Sequence, residues 1–238
     1  MGKTLLILRL EGPMQSWGLR SRWDARDCGE EPSKSGIVGL LGAALGCSRG
    51  DPRLEALDAA LRLGVRVERP GMRMVDYHTV SGVLPTAEGG FRGTCDDPTT
   101  VLSPREYLQD AAFLAVLDGP DELLQECADA LCQPVWPVFL GRKSCPPTRP
   151  VLDVLTDRYQ DIDDALRSCP WQGGLETQPA PGKRVSLRCY VEDAAGEMMR
   201  PDRIRTNSTR MYGRRAVRSF SLEVPADRPR DFQEGGEE

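Results

Sequence analysis

The sequence is poor in the residues from which metal sites and acid–base centres are usually built. It contains one histidine, His78, in 238 residues, whereas zinc sites draw on closely spaced cysteines and histidines. None of the eight cysteines stands in a CxxC pair, and the closest two, Cys127 and Cys132, fall in a predicted helix. We therefore expect no metal, no cofactor and free, mostly buried thiols in a reducing compartment.

The chain also lacks long apolar runs and the familiar hydrolase signatures. Its longest apolar stretch, 37–45, is glycine-spaced and well short of the ~20 residues that cross a bilayer. Lys3 leads directly into the strand-like TLLILRL, with no signal-peptide cleavage site. GxSxG and HExxH are both absent. The first two features predict a cytoplasmic protein without membrane contact. The absence of the two motifs argues against the hydrolase classes that carry them.

The overall charge gives little support to a polyanionic partner, but the charge is unevenly spread. The net charge is −5, yet the segment 200–218 has Asp202 as its single acid among seven arginines. These arginines are Arg200, Arg203, Arg205, Arg210, Arg214, Arg215 and Arg218. A local basic stripe matters more to a polyanion than the global sum. A solvated face paired with the acidic segment beyond Ser221 is an equally consistent interpretation.

The apolar pattern predicts an α+β fold. Strands are expected at 4–10, 64–68, 74–83, 111–117 and 135–140, and helices at 33–45, 51–63 and 120–132. This β-α-β-β-α-β order is typical of a ferredoxin-like or RRM-like domain, with a second helix after the first. We assign that domain to residues 1–147.

Two further regions complete the predicted organisation. The segment at about 72–103 contains a glycine-rich, weakly apolar stretch, which indicates an inserted β-hairpin that closes with a turn at 103–107. From 148 onward Pro, Gly and Asp become frequent, and clear strands appear at 184–191 and 217–224. Residues 148–238 are therefore expected to form a smaller, mostly β C-terminal region with an acidic tail.

A first group of candidate nucleic-acid contacts lies near the N-terminus. Gln15 and Trp17 occupy a glycine-bounded loop after the first strand, and Lys34, Ser35 and Gly36 open the following helix. A helix N-terminus offers free N–H groups to phosphate, and a tryptophan stacks on a base. Packing of Trp17 at the end of the core explains that residue equally well.

A second group lies later in the chain. Arg142, Lys143 and Ser144 place two cations and a hydroxyl in a loop after a predicted strand, which suits a phosphate contact. His78 is the one side chain suited to acid–base work at neutral pH. A metal-independent endoribonuclease would need a second group beside it, and Tyr77 or Lys34 would serve if the fold brought either close.

Five segments, in this order and at these separations, resemble the CasD family, the RAMP-superfamily subunits of type I-E CRISPR Cascade that hold the 5′ end of crRNA. They are GPMQSWG, PSKSGIVGLLGAALG, DYHTV, REYLQDAAF and FLGRKSCP, and they span residues 1–150. The resemblance implies an RRM-like RAMP domain, a β-hairpin thumb and a small C-terminal region.

The resemblance also implies a function, which is non-catalytic capping of the crRNA 5′ handle in antiviral defence. The RNA contacts it implies are Gln15, Trp17, Lys34, Ser35, Gly36, Arg142, Lys143 and Ser144, with Tyr77, His78 and Arg92 on the thumb. The implied partners are the adjacent backbone RAMP subunit and the large PAM-reading subunit, with target DNA reached only through the complex. A type I-C relative in the family cleaves repeat RNA, so an endoribonuclease using His78 remains the alternative.

Overall fold

The computed structural model describes residues 2–19, 25–86, 88–173, 184–205 and 212–225. The strands are β1 (Leu5–Glu11), β2 (Met14–Gln15), β3 (Arg62–Arg69), β4 (Met72–Gly82), β5 (Leu84–Pro85), β6 (Phe91–Arg92), β7 (Thr99–Gln109), β8 (Ala112–Asp118), β9 (Leu152–Thr156), β10 (Arg184–Glu192), β11 (Met198–Ile204) and β12 (Tyr212–Pro225). The helices are α1 (Lys34–Ala44), α2 (Pro52–Ala60), α3 (Asp121–Cys132) and α4 (Ile162–Ser168).

The predicted starts of the first two helices are confirmed. Ser33 caps α1 by accepting a hydrogen bond from the Gly36 N–H at 3.3 Å. Asp51 caps α2, and Pro52 occupies the first helical turn, where a missing N–H costs nothing. Both caps satisfy backbone N–H groups that a helix leaves without partners.

A seven-stranded sheet forms the centre of the molecule. Its order is β11-β12-β10-β3-β8-β1-β9, and every neighbouring pair is antiparallel. The central strands β1 and β8 are apolar and almost wholly buried. A mixed α and β fold with an antiparallel sheet is therefore confirmed.

The predicted strand at 135–140 is wrong. In the structure the position beside β1 is taken by β9. The N–H groups of Val135 and Trp136 instead donate to the carbonyl oxygens of Ala44 and Ala43 at 2.9 and 3.2 Å, at the end of α1. Backbone N–H groups after α3 thus satisfy carbonyl oxygens at the C-terminus of α1. The apolar pattern alone cannot distinguish such a segment from a strand of a sheet.

The sheet runs across the predicted boundary at residue 147. Strands β9 and β10 of the predicted C-terminal region pair with β1 and β3 of the first region. Helix α4 packs on the same sheet, so closely that a Cβ at Gly64 would overlap Ile162. The boundary at 147 therefore falls inside one hydrogen-bonded sheet with shared packing.

The inserted hairpin, here called the arm, is built by β4 and β7 with β5 and β6 beyond them. The pairing runs from Met72↔Gln109 to Gly82↔Thr99, which is roughly 35 Å of strand at about 3.3 Å per residue. Residues 103–107 lie within β7, so the turn predicted there is wrong. Most arm side chains beyond its base are exposed.

The remaining sequence expectations concern thiols and membranes. All eight cysteines are free, as predicted, and six of them are buried. No helix within the described ranges is long and apolar enough to cross a membrane.

Candidate RNA-binding site

The start of α1, predicted to receive phosphate, is closed by a carboxylate of the chain itself. Asp202 on β11 accepts a hydrogen bond from the Lys34 N–H at 2.8 Å. Arg215 donates to the same carboxylate through Nε and Nη2 at 3.0 and 2.6 Å. The positive end of the helix dipole therefore already faces an anion.

The predicted contact between Lys34 and RNA is not supported by this geometry. The Lys34 side chain is 1% exposed, and its ammonium lies 2.7 Å from Glu192 Oε2. Burial lowers the pKa of Lys34, which Glu192 partly offsets. Ser35 is half-buried, with its Oγ 3.5 Å from Ser33 Oγ, and a Cβ at Gly36 would lie 2.8 Å from the Trp17 ring. The tight approach of α1 to Trp17 therefore explains Gly36 without a ligand.

Gln15 and Trp17 are core residues in this structure, and packing, the alternative given for Trp17, accounts for both. Each is 0% exposed. Trp17 Nε1 donates to Gln15 Oε1 at 3.0 Å, and Gln15 Nε2 donates to the carbonyl oxygens of Leu10 and Ala111. The pair satisfies buried polar groups next to the ends of β1 and β8.

Four of the seven arginines at 200–218 form ion pairs with carboxylates of the same chain within the described residues. Arg200 pairs with Glu31, Arg203 with Asp58, Arg215 with Asp202, and Arg218 with Asp163 and Asp193. These acids lie at five different positions, four of them outside the segment 200–218, so composition alone could not match the charges. Arg210 and the acidic segment from 226 lie outside the described residues.

A second basic region remains open where the arm meets the loop at 141–145. This arm-base cluster consists of His78, Tyr107, Arg142, Lys143 and Ser144. The Tyr107 hydroxyl lies 3.4 Å from both His78 Nε2 and Ser144 Oγ. The Arg142 guanidinium carbon lies 4.6 Å from the centre of the Tyr107 ring, a cation–π contact. Tyr107 thus joins the two segments that the sequence analysis treated separately.

Arg142 has a positioning role within this cluster. Its guanidinium donates to the carbonyl oxygens of Glu106, Arg26 and Asp27 at 2.8, 3.1 and 3.3 Å. Gly141 adopts φ +94° and lies so close to Ser16 that a side chain there would overlap its carbonyl oxygen. The loop is consequently fixed, while Lys143 and Ser144 remain exposed.

Three residues of this region were missed by the sequence analysis. Tyr107 and Arg105 lie in β7 on the same face of the arm as His78, because alternate strand residues share a face. The backbone of Arg26 forms an isolated parallel β-bridge with that of Arg105. The Arg105 Nε atom is buried without a partner among the described residues. Reading REYLQD as a strand with period-two alternation would have identified Arg105 and Tyr107, whereas no local signal points to Arg26.

The other predicted arm residues lie apart from the cluster. Tyr77 is on the opposite face from His78 and is 69% exposed. Arg92 pairs with Leu84 beyond the end of the long hairpin and is exposed. His78 itself lies 2.6 Å from Asp76 Oδ2. The structure therefore brings His78, Arg142, Lys143 and Ser144 together, and leaves Tyr77 and Arg92 elsewhere on the arm.

These features define a class of protein: a mixed α and β chain with one antiparallel sheet, an exposed two-stranded arm and a basic cluster at the arm's base. A family model described as "CRISPR-associated protein (Cas_Cas5)" matches residues 5–218. The chain belongs to this family of CRISPR-associated proteins. The family resemblance inferred from the five sequence segments is thereby confirmed.

Individual relatives support the same assignment. The chain is 37% identical over 186 residues to the "CRISPR system Cascade subunit CasD" of Escherichia coli (strain K12), covering 72% of this chain and 80% of the relative. A chain of a "CRISPR RNA-guided surveillance complex" matches with a TM-score of 0.72 and 34% identity, over 93% of this chain and 91% of that one. A "Crystal structure of Cas protein" matches with a TM-score of 0.69 and 35% identity, over 94% and 100%.

Proposed function

We propose that this chain is the subunit of a type I-E Cascade surveillance complex that binds and caps the 5′ handle of crRNA without cleaving it. The observation that carries the proposal is the arm-base cluster, in which exposed Lys143 and Ser144 lie beside the arm of a Cas5-family fold. A holder of RNA needs fixed cationic and hydroxyl contacts rather than tuned acid–base groups.

The finer fold assignment is part of this proposal. We assign β1, α1, β3, β8, α3 and β9 to a ferredoxin-like RAMP unit, because the sheet order β9-β1-β8-β3 places the fourth strand beside the first and the second beside the third. The arm joins β3 to β8 and corresponds to the thumb of that unit. Strands β10–β12 extend the sheet beyond β3.

The proposed RNA contacts follow from exposure and clustering. Lys143, Ser144 and His78 present polar groups at the arm base, and Arg142 and Arg105 add positive charge beneath them. Tyr77 and Arg92 are assigned to the thumb's contacts near the junction of handle and spacer. Lys34, Ser35, Gly36, Gln15 and Trp17 act in this proposal by holding the frame on which the cluster stands.

The proposed partners follow from the named relatives and the family resemblance. They are the adjacent backbone RAMP subunit, the large PAM-reading subunit and, through the complex alone, target DNA. We place this assembly in the cytoplasm, where crRNA is available.

The test measures binding of handle-bearing RNA to the full chain by fluorescence anisotropy across a salt series. We expect affinity to fall as salt rises, since cation–phosphate contacts release counterions, and to fall when the handle sequence is scrambled. Co-expression with the other Cascade subunits should recover the chain in a crRNA-containing complex. Salt-independent binding without handle preference, together with failure to enter the complex, would overturn the proposal.

A second candidate function rests on the surroundings of His78. Its Nε2 lies 2.6 Å from Asp76 and 3.4 Å from the Tyr107 hydroxyl, a set that offers general acid–base groups. Incubation of the full chain with repeat RNA in EDTA tests it. Specific cleavage that disappears in His78→Ala would establish an endoribonuclease, whereas intact RNA would favour the binding role.

A further inference from the structure

We infer that the arm-base cluster takes up a proton on His78 when an RNA phosphate binds there, so that the affinity for handle RNA rises as the pH falls. His78 is the only histidine of the chain, and histidine is the side chain that ordinarily changes its charge between about pH 5 and 8. The inference rests on the proposed function and adds to it the regulation of the same site by protons.

Asp76 holds the hydrogen of the neutral His78 ring on one particular nitrogen. The two residues are two positions apart on β4 and share a face of the arm, and His78 Nε2 lies 2.6 Å from Asp76 Oδ2. An ionised carboxylate only accepts hydrogen bonds, so Nε2 is the donor in this contact. Nδ1 has no hydrogen-bond partner among the described residues. It is therefore the nitrogen that gains the proton.

The groups in and beside the arm-base cluster carry a surplus of positive charge. The charged and titratable ones, from β4, β7 and the loop 141–145, are Asp76, Arg105, Tyr107, Arg142, Lys143 and Cys145. Three of them are cations without an ion pair among the described residues, and Asp76 is the one carboxylate of the set. Burial raises the pKa of the Cys145 thiol, which keeps it uncharged at neutral pH. The cations therefore oppose a positive charge on His78 unless an anion is bound beside them.

The His78 ring is within reach of the same phosphates as the cations. Its side chain is 31% exposed, and its ring stacks on that of Tyr107 with 6.4 Å between the centres and 26° between the planes. Arg142 lies against the same Tyr107 ring, and Lys143 is exposed in the same loop. The imidazole and the cations therefore border one surface, and a phosphate bound there offsets the repulsion between them.

Proton uptake and phosphate binding stabilise each other at this surface. The proton comes from solvent, binds His78 Nδ1 and stays there, and no bond of the RNA is broken. The new Nδ1–H donates to a phosphate oxygen in a charge-assisted hydrogen bond, while Nε2 continues to donate to Asp76. Coupling between two ligands is reciprocal, so the proton strengthens RNA binding by the same factor by which RNA strengthens proton binding.

The test measures binding of handle-bearing RNA to the full chain by isothermal titration calorimetry at pH ~6, ~7 and ~8. The RNA ends in a 5′-hydroxyl, because a terminal phosphate would itself titrate in this range. We expect an affinity about fivefold higher at pH ~6 than at pH ~8, as for one added charge-assisted contact. Titrations near pH ~7 in two buffers of different ionisation enthalpy should show an uptake of up to about 0.4 proton per RNA, the largest value that a fivefold coupling allows.

Two variants assign the proton to His78. His78→Gln should bind handle RNA equally well at pH ~6 and pH ~8 and take up no proton, because its amide does not titrate. The buried carboxyls Glu31 and Asp58, whose pKa burial raises, remain in this variant, so a difference from the parent chain belongs to His78. Thr79→Gln is the matched control, since Thr79 is exposed on the opposite face of the arm and should keep the pH dependence of the parent chain.

A third variant tests the role of Asp76. Asp76→Asn should bind handle RNA more tightly than the parent chain at pH ~8, because a negative charge beside the phosphates is removed. In the parent chain, the slope of log affinity against log salt should be steeper by about 0.7 at pH ~6 than at pH ~8, since one more cation meets the RNA. The slope of His78→Gln should be the same at both pH values.

Two results would overturn the inference and leave handle binding itself intact. One is an equal affinity of the parent chain at pH ~6 and pH ~8, and the other is an equal proton uptake by the parent chain and His78→Gln. A chain that binds no handle RNA at any of these pH values would instead overturn the proposed function, and the inference with it.

Discussion

The start of α1 and the base of the arm contain the same kinds of side chain, but their cations face different surroundings. Lys34 is 1% exposed and lies 2.7 Å from Glu192, whereas Lys143 is exposed in the loop beside the arm. Both lysines lie in segments that suit a phosphate contact, Lys34 at a helix N-terminus and Lys143 in a basic loop. A cation is available to an external anion only where the fold has not already supplied a carboxylate, and that is a property of the tertiary structure.

The Asp202 carboxylate also explains why the start of α1 is closed to an external anion. Asp202 neutralises both Arg215 and the helix N-terminus, so one carboxylate satisfies two positive groups that would otherwise be costly to bury. At the arm base the corresponding position is taken by Tyr107, which provides a ring and a hydroxyl but no charge. Tyr107 therefore does not neutralise the positive charge of Arg142 and Lys143.

The largest expected effect separates the two regions by stability. Asp202→Ala leaves the Arg215 guanidinium buried and unpaired, and it should lower the free energy of unfolding by about 3–5 kcal/mol. Urea unfolding of the full chain measures this. The double variant Asp202→Ala, Arg215→Met should recover most of the loss, because it removes the stranded charge. A loss below about 1 kcal/mol in the single variant would refute the structural role of this ion pair.

The next effect tests the positioning role at the arm base. Arg142→Ala removes three hydrogen bonds to backbone carbonyls and should lower the free energy of unfolding by about 1–3 kcal/mol, with weaker handle binding. Arg142→Lys should not restore stability, because an ammonium lacks the planar fork. Full rescue by lysine would show that charge alone matters there.

A smaller effect isolates the exposed cation. Lys143→Ala should leave stability unchanged and weaken handle RNA about fivefold, while reducing the slope of log affinity against log salt by about 0.7. Anisotropy titrations give both quantities. Lys3→Ala is the matched control, since Lys3 is 53% exposed but paired with Asp118 at 2.8 Å. Equal losses in the two variants would contradict a local phosphate contact.

The smallest effect sharpens the contrast between the two lysines through pH. The pKa of folded Lys34 is lowered from its ordinary value of 10.5, so between these values the unfolded chain binds more protons. The contribution of Lys34 to stability therefore rises with pH in that window. Unfolding measured at pH ~8 and ~10 should show a smaller rise in Lys34→Met than in the parent chain.

RNA affinity gives an independent check on the same variant. Lys34→Met should bind the handle like the parent chain, because the ammonium it removes is buried. A loss as large as that of Lys143→Ala would reopen the start of α1 as an RNA contact.

The starts of α1 and α2 and the central strands were predictable because their signals are local. Ser33 and Asp51 cap helices through their own neighbours, and the apolar runs of β1 and β8 are those of buried strands. The segment 135–140 was wrongly predicted as a strand, because its apolar pattern does not show that its first N–H groups bind the carbonyl oxygens at the end of α1. Strands β9 and β11 were missed because charged residues interrupt their apolar positions, Asp153 in β9 and Arg200, Asp202 and Arg203 in β11.

The amino-acid sequence by itself determined the helix caps, the buried central strands, the free thiols and the family, because each depends on neighbouring residues or on motifs kept in order. The tertiary structure decided which basic residues remain available. Asp202 reaches Lys34 across 168 residues, and Tyr107 joins His78 to Ser144 across two distant segments. Ion pairing and exposure depend on such long-range neighbours, and composition cannot reveal them.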